Sequence, residues 1–112
     1  MTAITDDFMR QAIASTKGYT TVILRKGPDY NRSDAGQIIW EHARRNFSLR
    51  AEGLLSVVCP VNDGTSLTGI GIFNADMEQT KGIMDNDPGV QAGIFVYEMH
   101  ATRSFPGDSL PK

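Results

Sequence analysis

The chain has a single cysteine, Cys59, among 112 residues. No internal disulfide can form, and no cysteine-built zinc site is available. That usage fits a reducing compartment, so a cytoplasmic location is expected. Histidine is also scarce: His42 and His100 are the only two. A transition-metal centre needs more ligands than these and nearby carboxylates offer, so no metal site is expected. Neither charge dominates, with 11 Lys and Arg against 13 Asp and Glu and a net charge of -2. Basic and acidic residues are interspersed, which argues against nucleic acid and anionic membrane surfaces as partners. No run approaches the ~20 apolar residues that span a bilayer. The opening residues Met1 to Asp7 carry neither a basic nor an apolar leader region, so no secretory signal is expected. The sequons at Asn31 and Asn46 then carry little meaning. Repeats and low-complexity stretches are absent.

What remains is an ordinary globular composition, 40% hydrophobic and 21% charged. Residues 1–112 suffice for one domain and not comfortably two. Asp6 to Ser15 reads as a helix with Asp6 and Asp7 at its positive end and an apolar stripe of Phe8, Met9, Ala12 and Ile13. Tyr19 to Lys26 reads as a strand, broken by Gly27-Pro28-Asp29. Asp34 can cap a helix from about Ala35 to Ala51, which Gly53 stops. Leu54 to Cys59 and Leu67 to Phe73 are strands on either side of the turn signal Asn62-Asp63-Gly64-Thr65. Ala75 to Met84 reads as a helix, Val90 to His100 as the last strand, and Ala101 to Lys112 as an irregular arm.

Without the leading helix the order is strand, helix, strand, strand, helix, strand. That is the split βαβ, or ferredoxin-like, arrangement: an α+β subunit with helices on one face of a four-stranded antiparallel sheet. In the last strand Phe95, Tyr97 and Met99 mark one face and Ala92, Ile94 and Val96 the other. A strand apolar on both faces predicts a second layer over the open side of the sheet, most simply another copy of the chain.

Several residues carry chemistry. At about 100° per residue, His42 falls with Ile38, Asn46 and Leu49 on the inward edge of its helix. Glu41, Arg44, Arg45 and Ser48 form the solvated side, and Trp40 and Phe47 read as core. Asp87 precedes Pro88 in an acidic turn, Asp85-Asn86-Asp87, which as a local signal is a turn initiator. The same segment fails as a calcium loop, because the twelfth position from Asp85 is Val96. Arg25, Lys26 and Arg103 can each receive an anionic group, although surface ion pairing is the commoner fate. Gly69 and Gly71 do not form a dinucleotide fingerprint and read as packing positions. Cys59, in an apolar strand, reads as a buried structural thiol.

From Gly18 to His100 the sequence resembles the YCII-related family of dimeric α+β barrel proteins. The likeness rests on the element order and on Glu41-His42-Ala43. It rests also on Gly53-Leu54-Leu55 and on Asp87-Pro88 followed by Ala92-Gly93-Ile94. It implies a homodimer with sheets packed face to face and a cleft between sheet and helix. It also implies His42 and Asp87 as the functional pair. The expected activity is acid/base chemistry on a small organic acid, lactone or ester-like compound, with no metal or organic cofactor. Arg25 and Arg103 are candidates to hold substrate charge, and Phe73 and Tyr97 candidates for the pocket wall. Two alternatives stand beside this. A cofactor-free monooxygenase would need a large apolar pocket walled by Phe73, Phe95, Tyr97 and Met99. A non-catalytic ligand-binding protein would use His42 for affinity alone.

Overall fold

A computed structural model describes every residue from Met1 to Lys112. The elements are α1 (Asp6–Ala14), β1 (Lys17–Lys26), α2 (Ala35–Ala51), β2 (Leu55–Pro60), β3 (Leu67–Phe73), α3 (Met77–Asp85), α4 (Pro88–Gln91) and β4 (Phe95–Ser104). The strands form one four-stranded sheet in the order β2-β3-β1-β4, and every neighbouring pair is antiparallel. The fold is α+β and ferredoxin-like. Each strand–helix–strand crossover skips one position, and the other crossover's strand fills it.

Alternation along β1 sets the faces. Thr20, Val22 and Leu24 are buried beneath the helices, while Tyr19, Thr21 and Ile23 point to the open face. Val22 and Leu24 meet Leu49 of α2, Phe73 of β3, Met84 of α3 and Phe95 of β4 in one core. Ile94, just before β4, is fully buried.

The Asp-Pro segment departs from expectation. A continuous strand from Val90 was predicted. Instead Asp87 caps a helical turn, its carboxylate accepting from the Gly89 and Val90 N–H groups. Pro88 sits in the first turn, where its missing N–H costs nothing. Gly93, at φ 74°, turns the chain out into β4. The register of β4 therefore starts at Phe95. Its inner face carries Phe95, Tyr97 and Met99, and its open face Val96, Glu98, His100 and Thr102. Ala92 and Ile94 belong to the turn, so the last strand is not apolar on both faces.

Other assignments also change. Trp40 and Phe47 are not core: they are 64% and 66% exposed. A helix buries one arc, and α2 buries the arc centred on His42 and Leu49, leaving those two rings on its far side. Arg45, placed on the solvated side, is tucked beside that arc instead, its side chain 28% exposed. Cys59 is exposed, because β2 is an edge strand that ends at Pro60. α1 buries none of its residues, so Phe8, Met9 and Ile13 face solvent. β4 runs to Ser104, so the irregular arm is shorter than predicted and begins at Phe105.

The radius of gyration is 16.4 Å, against about 13 Å for a compact chain of this length. The excess has a visible source. β1 pairs with β4 from Lys17 onward, whereas β3 reaches only as far as Thr20. Lys17 to Tyr19 and Thr102 to Ser104 form a two-stranded ribbon that carries α1 away from the body.

Candidate functional site

The site is built where two turns meet. After β1, Gly27 N–H donates to Ile94 O at 2.7 Å and Asp29 N–H to Gly93 O at 2.9 Å. Arg32 adds a bond from its guanidinium to Ala92 O at 3.1 Å. These bonds stitch the segment after β1 to the segment before β4. Tyr30 is thereby laid against Phe95, with ring centroids 6.3 Å apart. Phe95 in turn packs on His42, with centroids at 4.8 Å. Its other neighbour is Gly89, where a Cβ would fall 2.5 Å from the Phe95 ring. Glycine there lets the Asp87 turn close on the aromatic layer.

α2 presents three polar side chains to this junction, at spacings of three and four residues on one face. His42 Nδ1 lies 2.8 Å from Asp87 Oδ1, and both side chains are buried, at 11% and 2% exposure. Arg45 donates from Nη1 to Ile83 O at 2.7 Å, and the same nitrogen stands 3.8 Å from Asp87 Oδ1. Asn46 Nδ2 is 3.3 Å from His42 Nε2.

Every polar neighbour of Asp87 is a donor: His42, the N–H groups of Gly89 and Val90, and Arg45. A carboxylate facing Nδ1 fixes the neutral ring as the Nδ1–H tautomer. Nε2 is then the acceptor, and the Asn46 amide donates to it. Asp87 thus sets the ring's orientation and leaves a lone pair on Nε2.

His42 and Asn46 line a cavity of about 350 Å³ between α2 and the sheet. Val22, Leu24, Leu55 and Phe73 form part of its apolar lining, Tyr30 and Phe95 an aromatic side, and the Asn62–Thr65 loop part of its polar rim. In that loop the Asp63 carboxylate accepts from Thr65 Oγ1 at 2.6 Å and Thr65 N–H at 3.1 Å. These bonds, the hydroxyl's first, hold it below its usual range. The volume suits a compact organic molecule. No three His, Cys, Asp or Glu side chains converge anywhere as a ligand set.

No family model matches the chain, and no curated protein matches it. Among solved structures it is similar to 5-chloro-2-hydroxyhydroquinone dehydrochlorinase (TftG) from Burkholderia phenoliruptrix AC1100, in complex with 2,5-dihydroxybenzoquinone. Identity is 21%, the match covers 72% of this chain and 90% of that one, and the TM-score is 0.47. At that distance the likeness bears on neither activity nor substrate. The fold assignment rests on the strand order and pairing given above.

Of the residues singled out in the sequence, the structure brings His42 and Asp87 together and puts Phe73, 2% exposed, in the cavity wall. The other three lie elsewhere. Arg25 alternates onto the open face and pairs with Glu98 at 3.4 Å. His100 also bonds Glu98, and these partners, His100 before Arg25, hold the Glu98 carboxyl below its usual range. Tyr97 donates its hydroxyl to Asp85 Oδ1 at 2.5 Å, tying β4 to the end of α3. Burial first, then the Asp85 carboxylate, pushes its phenol up to about 12. Arg103 bonds Thr16 at the far end of the β1–β4 ribbon, roughly 27 Å along β4 from Phe95 at 3.4 Å per residue.

Tyr30 and Asn46 also line the cavity, beyond the candidates the sequence offers. Asn46 was legible at the fourth position after His42. Tyr30 had no local signal, because it reaches the cavity only through the turn-to-turn bonds. Lys26 and Arg25 are adjacent cations, yet the alternation of Val22 and Leu24 separates them, turning Lys26 inward and Arg25 out.

Proposed function

We propose that the protein is a small-molecule enzyme that moves protons with His42. As substrate displaces the Asn46 amide from Nε2, that nitrogen takes a proton from the bound molecule, or from a water attacking it. The imidazolium that forms stands against Asp87, and the same nitrogen then returns the proton. Substrates of this reading are small organic acids, lactones or ester-like compounds, and the chemistry is isomerisation or hydrolysis. It calls on no metal or organic cofactor. The single observation that carries it is the buried His42–Asp87 bond at the wall of a cavity with room for a ligand. The monooxygenase alternative has less support, since Tyr97 and Met99 do not line the cavity.

The reading includes a homodimer of the YCII-related kind, with open sheet faces packed together. Its support is a patch rather than the last strand. Ile23 pairs with Ile70, which pairs with Cys59, and Ile72 pairs with Val57, all on the open face. Water is a poor neighbour for such a patch.

The test is a panel of lactones, esters and carbon acids, followed by NMR in deuterated water. Wild type is expected to hydrolyse or deuterate at least one of them. His42→Ala should lose about 10²–10⁴ of that rate. Full activity in His42→Ala would refute the reading. A variant that only weakens ligand affinity, with no turnover by wild type, would favour the binding-protein alternative.

A further inference from the structure

Lys26 is the only lysine or arginine lining the cavity. The other charge-bearing groups there are His42 and Asp63, and Asp63 is bound to its own turn through Thr65. Asp87 lies behind His42 and does not line the cavity. The Lys26 ammonium has no carboxylate within 4.0 Å, unlike Arg25 next to it in sequence. Its recorded partner is the face of Tyr30, with Nζ 5.0 Å from the ring centroid. A ring quadrupole attracts an ammonium but does not neutralise it. The backbone around it is fixed: Lys26 N–H donates to Ser66 O at 2.9 Å, and the residue pairs with Phe95 in the β1–β4 register.

Three contacts then run in series. The Lys26 ammonium stands over Tyr30, Tyr30 packs on Phe95, and Phe95 packs on His42. One aromatic wall thus carries a cation at one end and the imidazole at the other. We infer that the cavity takes a compact, ring-sized organic anion, with Lys26 holding its charged oxygen and the Tyr30–Phe95 wall holding its apolar body. This rests on the reading of the cavity as a substrate site. It adds the charge of the ligand and the residue that selects it. The orientation follows. With the anionic oxygen at Lys26, the opposite edge of the molecule faces His42 Nε2.

Binding of simple probes tests this without any turnover. Benzoate, its neutral isostere benzamide, and acetate are titrated into ¹⁵N-labelled protein while the amides of Leu24, Gly71 and Phe73 are followed. Wild type is expected to bind benzoate at least about fivefold more tightly than benzamide, and acetate more weakly than benzoate, for lack of a ring. Lys26→Met should bring benzoate to the level of benzamide and leave benzamide unchanged. Lys26→Arg should keep most of the preference for the anion. The benzamide titration and the spectrum itself report that each variant keeps a folded cavity. Equal affinity of wild type for benzoate and benzamide would overturn the inference. So would an equal loss of both in Lys26→Met, or no shift of cavity amides with any probe. An anion preference that depends on Lys26, in a protein that turns nothing over, would refute the proposed function while leaving this inference standing. Turnover without that preference would do the reverse.

Discussion

Replacing Asp87 with alanine removes two things at once. The carboxylate caps α4 through the Gly89 and Val90 N–H groups, and it accepts the buried Nδ1–H of His42. Loss of an N-cap costs about 1 kcal/mol. Leaving a buried donor unpaired costs about 1–3 kcal/mol more. Asp87→Ala should therefore lower stability by roughly 2–4 kcal/mol, and the melting temperature by roughly 10 °C or more. Asp87→Asn is the informative partner. Its one oxygen can stay with Gly89 and Val90, but its amide then faces Nδ1–H, donor against donor. The ring escapes by moving its proton to Nε2, with Asn46 turning its amide to accept. That variant should lose only about 1–2 kcal/mol. Urea unfolding read from the midpoint at constant slope measures both. Asp87→Ala within about 0.5 kcal/mol of wild type would show that neither bond holds the fold, because a cap and a buried partner cannot be removed at surface cost.

Two further outcomes are expected. Tyr97 has a folded-state value of about 12, above the ~10 of an unfolded tyrosine. Its contribution is complete below pH ~10 and is lost as pH rises toward 12. The stability advantage of wild type over Tyr97→Phe should shrink across that window, and a constant gap would contradict the assignment. For the homodimer, light scattering at micromolar concentration should give the mass of two chains. Ile70→Lys, on the open face, should give the mass of one chain without unfolding it, and a wild-type mass of one chain would end the proposal.

The fold was legible because β1 and β3 show it directly. Their runs of β-branched and apolar residues and the glycine and proline breaks between elements are local signals, and element order then admits few topologies. The β4 register was not legible. Whether Pro88 to Gln91 extends or coils depends on the Asp87 carboxylate reaching back to two N–H groups, and a run of Val, Ala and Ile looks the same either way. The face of α2 was half legible. His42 and Asn46 follow from spacing, but two apolar arcs compete on that helix. Only packing against Phe95 and Leu55 selects the one that leaves Trp40 and Phe47 outside. Helical spacing puts Arg45 with Glu41 and Arg44 on the solvated side; the Ile83 carbonyl at 2.7 Å, with Asp87 behind it at 3.8 Å, holds it in, and both lie far downstream. Arg25 and Lys26 illustrate period two: adjacent cations fall on opposite faces, and only one meets the cavity.

Asp87 holds His42 with its proton on Nδ1 and its lone pair on Nε2, at the cavity wall. The nitrogen chemical shifts of the His42 ring, measured at neutral pH in wild type and in Asp87→Asn, report that tautomer. Wild type should show protonated Nδ1 and bare Nε2, and the variant the reverse. A wild-type ring carrying its proton on Nε2, or a tautomer untouched by the substitution, would contradict it.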